Sequence, residues 1–144
     1  MDTRFFAEIG IGSSFLLATL GSVIGVYIAG SATIGAWKKC YLESKPGPFI
    51  MAAFAGAPLT NTIYGFILMG QLESSVRLSN FQLLYMGLFA GFILGASAYT
   101  QARVAAYASE AFAETGQGFG NFMMIIGMCE TVALFTMVFT ILIA

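Results

Sequence analysis

The sequence predicts an all-α membrane protein with four transmembrane helices, arranged as two tandem helical hairpins. Two observations lead to this fold class. Of the 144 residues, 58% are hydrophobic and only 9% are charged, whereas soluble domains carry about 25% charged residues. Four segments are also apolar over the length of about 20 residues that a helix needs to span a bilayer. The net charge of −1 gives no sign of nucleic-acid binding. The chain contains no histidine, which excludes the commonest general base and metal ligand.

The four spans are predicted at about residues 9–37, 49–70, 81–107 and 119–144, each of them apolar and long enough to cross a bilayer. Each should be a helix, because lipid does not satisfy the backbone polar groups of an open sheet edge. The first span is too long for a signal-peptide core and is retained as a membrane helix. Turns or short loops are predicted at KKCYLESKPGP, QLESSVRLSN and SEAFAETGQG, which are rich in Pro, Gly, Ser and charged residues.

The two halves, residues 1–75 and 76–144, resemble an internal repeat of one helical hairpin. The first and third helices each carry small residues four apart, namely Gly21, Gly25 and Ala29 in one and Gly87, Gly91 and Gly95 in the other. Such stripes let helix backbones approach closely in a membrane. They are compatible with packing inside one chain, and also with helices 1 and 3 being the inner members of a larger assembly.

Lysine placement predicts the orientation in the membrane. The loop between helices 1 and 2 contains Lys38, Lys39 and Lys45, whereas the loop between helices 2 and 3 contains Arg77. Because basic residues are enriched in cytoplasmic loops, the loops after helices 1 and 3 are expected to be cytoplasmic. Both termini are then expected on the opposite side.

Glu130 is the one charged residue in the last span, NFMMIIGMCETVALFTMVFTILIA. An ionisable group near the bilayer centre costs at least about 2.5 kcal/mol and usually marks a place where an ion passes or binds. Helices 2 and 4 begin, and helix 3 ends, at the same side of the membrane. Counted from that side, Asn61, Gln101 and Glu130 all lie roughly 10 to 18 Å deep at 1.5 Å per residue. We therefore expect these three side chains to meet.

Helix 2 adds further polar groups near this level. Thr60 is adjacent to Asn61, and Ala57 and Tyr64 lie three or four residues away on the same helical face. Pro58 is expected to loosen and bend the helix at this point. A carboxylate surrounded by hydroxyl and amide oxygens would suit a small hard monovalent cation, or a proton if fewer oxygens take part.

Each polar neighbour also has a purely structural interpretation. The Thr60 hydroxyl can bond to its own helix, and the amides of Asn61 and Gln101 can join helices by hydrogen bonds. Tyr64 can be an ordinary interfacial or core aromatic. Glu130 is the hardest to explain as structural, because a buried carboxyl is costly.

Three motifs together resemble one known family. PLTNTIYG at residues 58–65, QARVAA at residues 101–106 and CET at residues 129–131 are similar to the K subunit, also called the proteolipid or c-type subunit, of V-type and A-type rotary ATPases. The similarity covers the whole chain and is greatest to bacterial sodium-translocating members, whose patterns are P-x-T-Q-x-x-Y-G, Q-G-K-V and E-T. It implies a bacterial plasma membrane location and a ring of identical copies.

The resemblance also implies roles for individual residues. Glu130 would be the carboxylate that binds Na⁺, or H⁺ as the alternative, and Tyr64 would donate a hydrogen bond to it. Thr60 and Gln101 would supply side-chain oxygens, and Ala57 its backbone carbonyl. The family's glutamine in helix 2 is Asn61 here, which is one methylene shorter, so the helices approach more closely or this ligand is lost. The family's Q-G-K-V is QARV at residues 101–104.

The implied function is that of a non-catalytic rotor subunit. A stator membrane subunit of the a or I type, carrying an arginine, would displace the ion from each copy, and central-stalk subunits would couple ring rotation to ATP hydrolysis or synthesis. Lipid would surround the ring. The sequence contains no G-x-x-x-x-G-K-[ST] motif for a nucleotide, and no organic cofactor is expected.

Two other classes compete with the rotor interpretation. A small four-helix cation or drug antiporter also uses a single membrane glutamate, but typically in its first helix, where this chain has only Glu8 near the start. A scaffold or assembly protein would leave Glu130 and its polar neighbours without a purpose.

Overall fold

The computed structural model describes residues 3–144 and consists of helices joined by short connections. The α-helices are α1 (Thr3–Leu42), α2 (Ala52–Gly56), α3 (Thr60–Ser74), α4 (Asn80–Thr115) and α5 (Phe119–Ile143). The 3₁₀ turns Phe49–Met51 and Ala57–Leu59 join α2 and α3 into one span, Phe49–Ser74. Four helical segments are long and apolar enough to cross a membrane, and residues 3–144 contain no β-strand. The predicted all-α fold with four spans is therefore confirmed.

The prediction of turns or loops over KKCYLESKPGP and SEAFAETGQG is wrong for residues 38–42 and 109–115, which are helical, and is confirmed for residues 43–48 and 116–118. α1 continues to Leu42 and α4 to Thr115. Charged residues are excluded from the lipid core but not from a helix, and here they extend both helices beyond the apolar stretch. The two ends project together, since Lys39 Nζ donates to Glu114 Oε1 at 2.6 Å. α4 then stops at Gly116, which has a φ of +65°, a left-handed conformation that glycine adopts without a Cβ penalty.

α1 and α4 run parallel and make the most extensive helix–helix contact in the described chain. Glycines bring the two backbones together: a Cβ built on Gly21 would overlap the backbone of Gly95, and one built on Gly87 would overlap the backbone of Gly10. Alanines continue the same contact toward the C-terminal ends of α1 and α4. The small-residue stripes of the two helices therefore face each other. The stripes thus serve packing within one chain.

α3 and α5 lie beside this central pair. α3 contacts α1, α4 and α5, and α5 contacts α4 and α3. α3 and α5 are parallel to each other, because Tyr64 meets Glu130 and Ser75 meets Ala144. Only 17% of the most apolar stretch of α5 is buried, against 44% for α4. Since α5 has so little buried surface, each polar bond to it matters more.

The second span is interrupted where Pro58 stands. Proline has no N–H to donate to the preceding turn, and the chain tightens into the 3₁₀ turn Ala57–Leu59 before α3 begins at Thr60. Ser22 of α1 donates its hydroxyl to the Pro58 carbonyl at 2.7 Å. The interruption is therefore anchored to the central pair immediately before the polar residues of α3.

Gly21 and Gly30 of α1 allow a matched test of the contact between α1 and α4. Gly21→Ala would place a methyl group on the Gly95 backbone and should destabilise the protein by about 1–3 kcal/mol, as overpacking does. Gly30→Ala meets no described atom of another helix within 4 Å and should be neutral or stabilising, since alanine favours a helix by roughly 0.5–1 kcal/mol. Thermal unfolding in mild detergent measures both. Equal effects of the two substitutions would contradict the described contact.

Candidate functional site

A carboxyl group, two amides and a phenol form one hydrogen-bonded chain across three helices. Glu130 of α5 accepts at Oε1 from the Tyr64 hydroxyl of α3, at 2.7 Å, and at Oε2 from Nε2 of Gln101 of α4, at 3.3 Å. Gln101 Oε1 in turn accepts from Asn61 Nδ2 of α3, at 3.1 Å. We call these four residues the polar chain. The three side chains that were predicted to lie at one depth are thus in contact.

The polar chain extends from the interior of the protein to its lateral surface. Asn61 and Gln101 are 0% exposed, whereas Tyr64 and Glu130 are half-buried. The carboxyl therefore lies at the boundary between the protein and its surroundings, and its two donors approach it from the protein side. A group at such a boundary can be reached from outside the protomer while its orientation is set from inside.

Thr60 and Ala57 lie on the same span but are bonded to each other. Thr60 Oγ1 donates to the Ala57 carbonyl at 3.0 Å, which is the bond of a threonine to its own helix that the sequence left open. The Thr60 oxygen keeps lone pairs for a further ligand, whereas the Ala57 carbonyl already accepts from both the hydroxyl and the backbone N–H of Thr60. The structure thus places these two predicted oxygens beside the polar chain without joining them to Glu130.

The side-chain oxygen of Asn61 is the one unsatisfied atom of the polar chain. Asn61 Oδ1 is buried and has no hydrogen-bond partner among the described residues. A buried polar atom without a partner costs about 1–3 kcal/mol. Such an atom is available to accept a donor when its neighbours rearrange.

Two serines that the sequence did not single out donate hydrogen bonds to the backbone beside the polar chain. Ser22 of α1 donates to the Pro58 carbonyl at 2.7 Å, and Ser97 of α4 donates to the Cys129 carbonyl at 2.9 Å. The available signal was spacing, because Ser97 precedes Gln101 by four residues and so lies on the same face of α4.

Arg103 takes no part in the polar chain. Its Nη2 donates to the Tyr107 hydroxyl at 3.2 Å, and its guanidinium lies 5.9 Å from the centre of the same ring. The side chain is exposed and points along α4 toward the end that precedes α5. Among the residues that the structure describes, Arg103 forms no ion pair with Glu130.

The arrangement offers one negative charge, two donors and several nearby oxygens in an otherwise apolar setting. A carboxylate in a membrane is stabilised by hydrogen bonds to its charged form or by a bound cation or proton that makes the site neutral. The site can therefore exchange one of these states for another. Exchange of a single monovalent charge is the chemistry it supports.

Comparison with known families finds a matching family model. Residues 84–143 match the model of the ATP synthase C-subunit family. This segment comprises α4 from its fifth residue and all of α5, and it includes Gln101 and Glu130. The match supports a membrane proteolipid subunit of a rotary ATPase. No curated protein matches the chain.

Removing the Tyr64 hydroxyl should expose the Glu130 carboxyl to chemical attack. Tyr64→Phe keeps the ring and deletes one of the two bonds that hold the carboxyl. We expect carbodiimide to modify Glu130 about tenfold faster, because a hydrogen bond to a charged group contributes about 1.5 kcal/mol or more. Mass spectrometry of the modified peptide measures the rate. Tyr107→Phe, at an exposed tyrosine of α4 that bonds Arg103, is the control and should leave the rate unchanged.

Proposed function

We propose that this protein is the proteolipid subunit of a V-type or A-type rotary ATPase and forms a closed ring in the membrane. Each copy carries one monovalent cation, Na⁺ or alternatively H⁺, on Glu130. The observation that carries the proposal is the Glu130 carboxyl, held by Tyr64 and Gln101 within a membrane span. The match of this segment to the ATP synthase C-subunit family supports the same function.

The half-buried position of Glu130 supports ion exchange with a second subunit. An ion-loaded carboxyl is neutral, so it can face lipid while the ring turns. A stator subunit of the a or I type would present a fixed positive charge that displaces the ion. Copies related by side-to-side contacts close into a ring when their rotation closes, and central-stalk subunits would transmit the rotation to a nucleotide-binding head.

The two amides of the polar chain offer two arrangements for two states of Glu130. With Gln101 Nε2 toward Glu130, the amide stabilises the bare carboxylate. If both amides turn by half a rotation, Gln101 Oε1 faces Glu130 and Gln101 Nε2 donates to Asn61 Oδ1, the atom without a partner. The mutual bond of the amides is kept. The turned arrangement supplies an oxygen to Na⁺ or an acceptor to a protonated carboxyl.

Thr60 and Ala57 would complete the oxygen set for Na⁺. Thr60 is adjacent to Asn61, and its hydroxyl oxygen has lone pairs to spare. Ala57 lies one turn earlier, and its carbonyl would bind Na⁺ by giving up a hydrogen bond from Thr60. In this proposal Asn61 either contributes its own oxygen to the cation or orients the Gln101 amide, which then contacts the cation. Its side chain is shorter than glutamine, and its bond to Gln101 favours the second role.

Sodium protection of Glu130 tests the identity of the ion. We expect sodium chloride to slow carbodiimide modification of Glu130, with potassium chloride at the same ionic strength as the control. Thr60→Val, which keeps the size of the side chain and removes its oxygen, should raise the half-protecting sodium concentration about tenfold, equivalent to about 1.4 kcal/mol. Modification that depends on pH but on no sodium concentration would reject Na⁺ and leave the proton as cargo.

Neutralising Glu130 should stop ion transport without preventing assembly. Glu130→Gln keeps the shape of the side chain and its capacity to bond Tyr64, but it removes the charge that holds a cation. We expect transport by the reconstituted complex to be lost, while the ring survives. Glu110→Gln, at an exposed glutamate of α4, is the matched control and should retain transport. Full transport by Glu130→Gln would reject the role of this carboxyl.

Native mass measurement in mild detergent separates the rotor from the small antiporter. A ring of many copies is expected for the rotor, whereas the antiporter would be a dimer. The central packing of α1 against α4 leaves large apolar side chains of α3 and α5 on the outside, among them Phe66, Phe135 and Phe139. A dimer as the largest species would count against the proposed function.

A further inference from the structure

Two serine hydroxyls of the central helices α1 and α4 donate hydrogen bonds to backbone carbonyls of neighbouring segments, beside the polar chain. Ser97 of α4 donates to the Cys129 carbonyl at 2.9 Å, and Ser22 of α1 donates to the Pro58 carbonyl at 2.7 Å. Ser97 is 6% exposed and Ser22 is 1% exposed. A helical carbonyl has a second lone pair, so each bond is added to the backbone without replacing a helical bond.

Both bonds differ from those that Ser14 and Thr100 make on the same helices. They also differ from the Thr33–Ser109 bond, which joins the two central helices to each other. Ser14, which is also fully buried on α1, donates to the Ile11 carbonyl within its own helix at 2.7 Å. Thr100 of α4 likewise donates to a carbonyl one turn earlier. A bond within a helix satisfies the hydroxyl and fixes nothing outside it. A bond between helices sets how far apart they lie and how they are rotated.

Ser97 acts at the level of Glu130. Ser97 and Gln101 are four residues apart and lie on one face of α4, while their acceptors, the Cys129 carbonyl and the Glu130 carboxyl, are adjacent on α5. α4 therefore holds α5 at two points about one helical turn apart. Two points determine the rotation of a helix, and α5 has few buried residues that could do so instead.

Ser22 acts at the level of Asn61. Its bond to the Pro58 carbonyl is supported by Gly25, since a Cβ built on Gly25 would come within 2.8 Å of Pro58 Cβ. Pro58 lies in the 3₁₀ turn that leads into α3, whose first two residues are Thr60 and Asn61. A shift of this turn would move the Asn61 amide away from Gln101.

We propose that Ser97 and Ser22 are positioning residues for the ion site. Ser97 sets the rotation of α5, so that Glu130 Oε2 meets the Gln101 amide, and Ser22 sets the start of α3, so that Asn61 meets Gln101 from the other side. Neither serine touches the ion. The proposal rests on the proposed function only for its purpose, because the positioning itself is a property of the isolated protein.

Solid-state nuclear magnetic resonance of the protein in lipid bilayers tests the role of Ser97. Carbonyl-¹³C cysteine labels two sites, Cys129 and Cys40. Within residues 3–144 the Cys40 carbonyl accepts from backbone amides only, so it is an internal control. Side-chain ¹⁵N glutamine labels four residues, of which Gln101 is the buried one. In Ser97→Ala we expect the Cys129 carbonyl and the Gln101 amide signals both to move upfield, while Cys40 stays in place.

The controls separate positioning from simple stabilisation. Ser97→Thr keeps the hydroxyl and should restore both signals, and Ser14→Ala, which removes a buried bond inside α1, should change neither. An unchanged Gln101 signal in Ser97→Ala would overturn the positioning role even if the Cys129 signal moves or the protein loses thermal stability. Unchanged Cys129 and Gln101 signals would overturn the bond as well.

Ser22→Ala is the independent second variant. With carbonyl-¹³C proline, the Pro58 signal should move upfield, while Pro48, whose carbonyl accepts from Trp37 Nε1, should not. The Gln101 side-chain signal should move too, and its constancy would overturn the role of Ser22. These spectra do not depend on ion transport, so loss of sodium protection or of ring formation would reject the proposed function separately.

Discussion

The direct backbone contact between α1 and α4 is the constraint on which the rest of the structure depends. Because Gly21 and Gly95 place no side chain between the helices, α1 and α4 lie very close together. α3 and α5 can therefore both reach α4 from the same side. Gln101 then lies within hydrogen-bond distance of a side chain from each. A thicker contact would separate α3 from α5 and divide the polar chain.

The polar chain shows how a carboxyl group is tolerated in an apolar environment. Glu130 accepts two hydrogen bonds from groups that are themselves held by α3 and α4. Burial of Asn61 and Gln101 makes their mutual hydrogen bond costly to break, because a buried amide without a partner is destabilising. The unpartnered Asn61 Oδ1 could accept from Gln101 Nε2 if both amides turned. Gln101 would then present an oxygen to Glu130 in place of the N–H that it donates here.

Much of the fold could be predicted from the chain alone. Composition and four apolar stretches were enough for the all-α class and the number of spans, because lipid leaves few alternatives to a helix. Helix ends were harder: α1 and α4 continue through charged segments that were predicted as loops. Hydropathy reports where lipid begins, whereas a helix ends where its backbone loses bonds or meets a residue such as Gly116.

For the site, sequence alone determined which residue types lie at one depth, since each helical residue advances by 1.5 Å. It therefore predicts that Glu130, Gln101 and Asn61 are neighbours. Only the tertiary structure decided how they bond, which atoms face each other, and that Ser97 and Ser22 fasten the surrounding backbone. The physical reason is that depth depends on position along one helix, whereas hydrogen bonds depend on the rotation and separation of several helices.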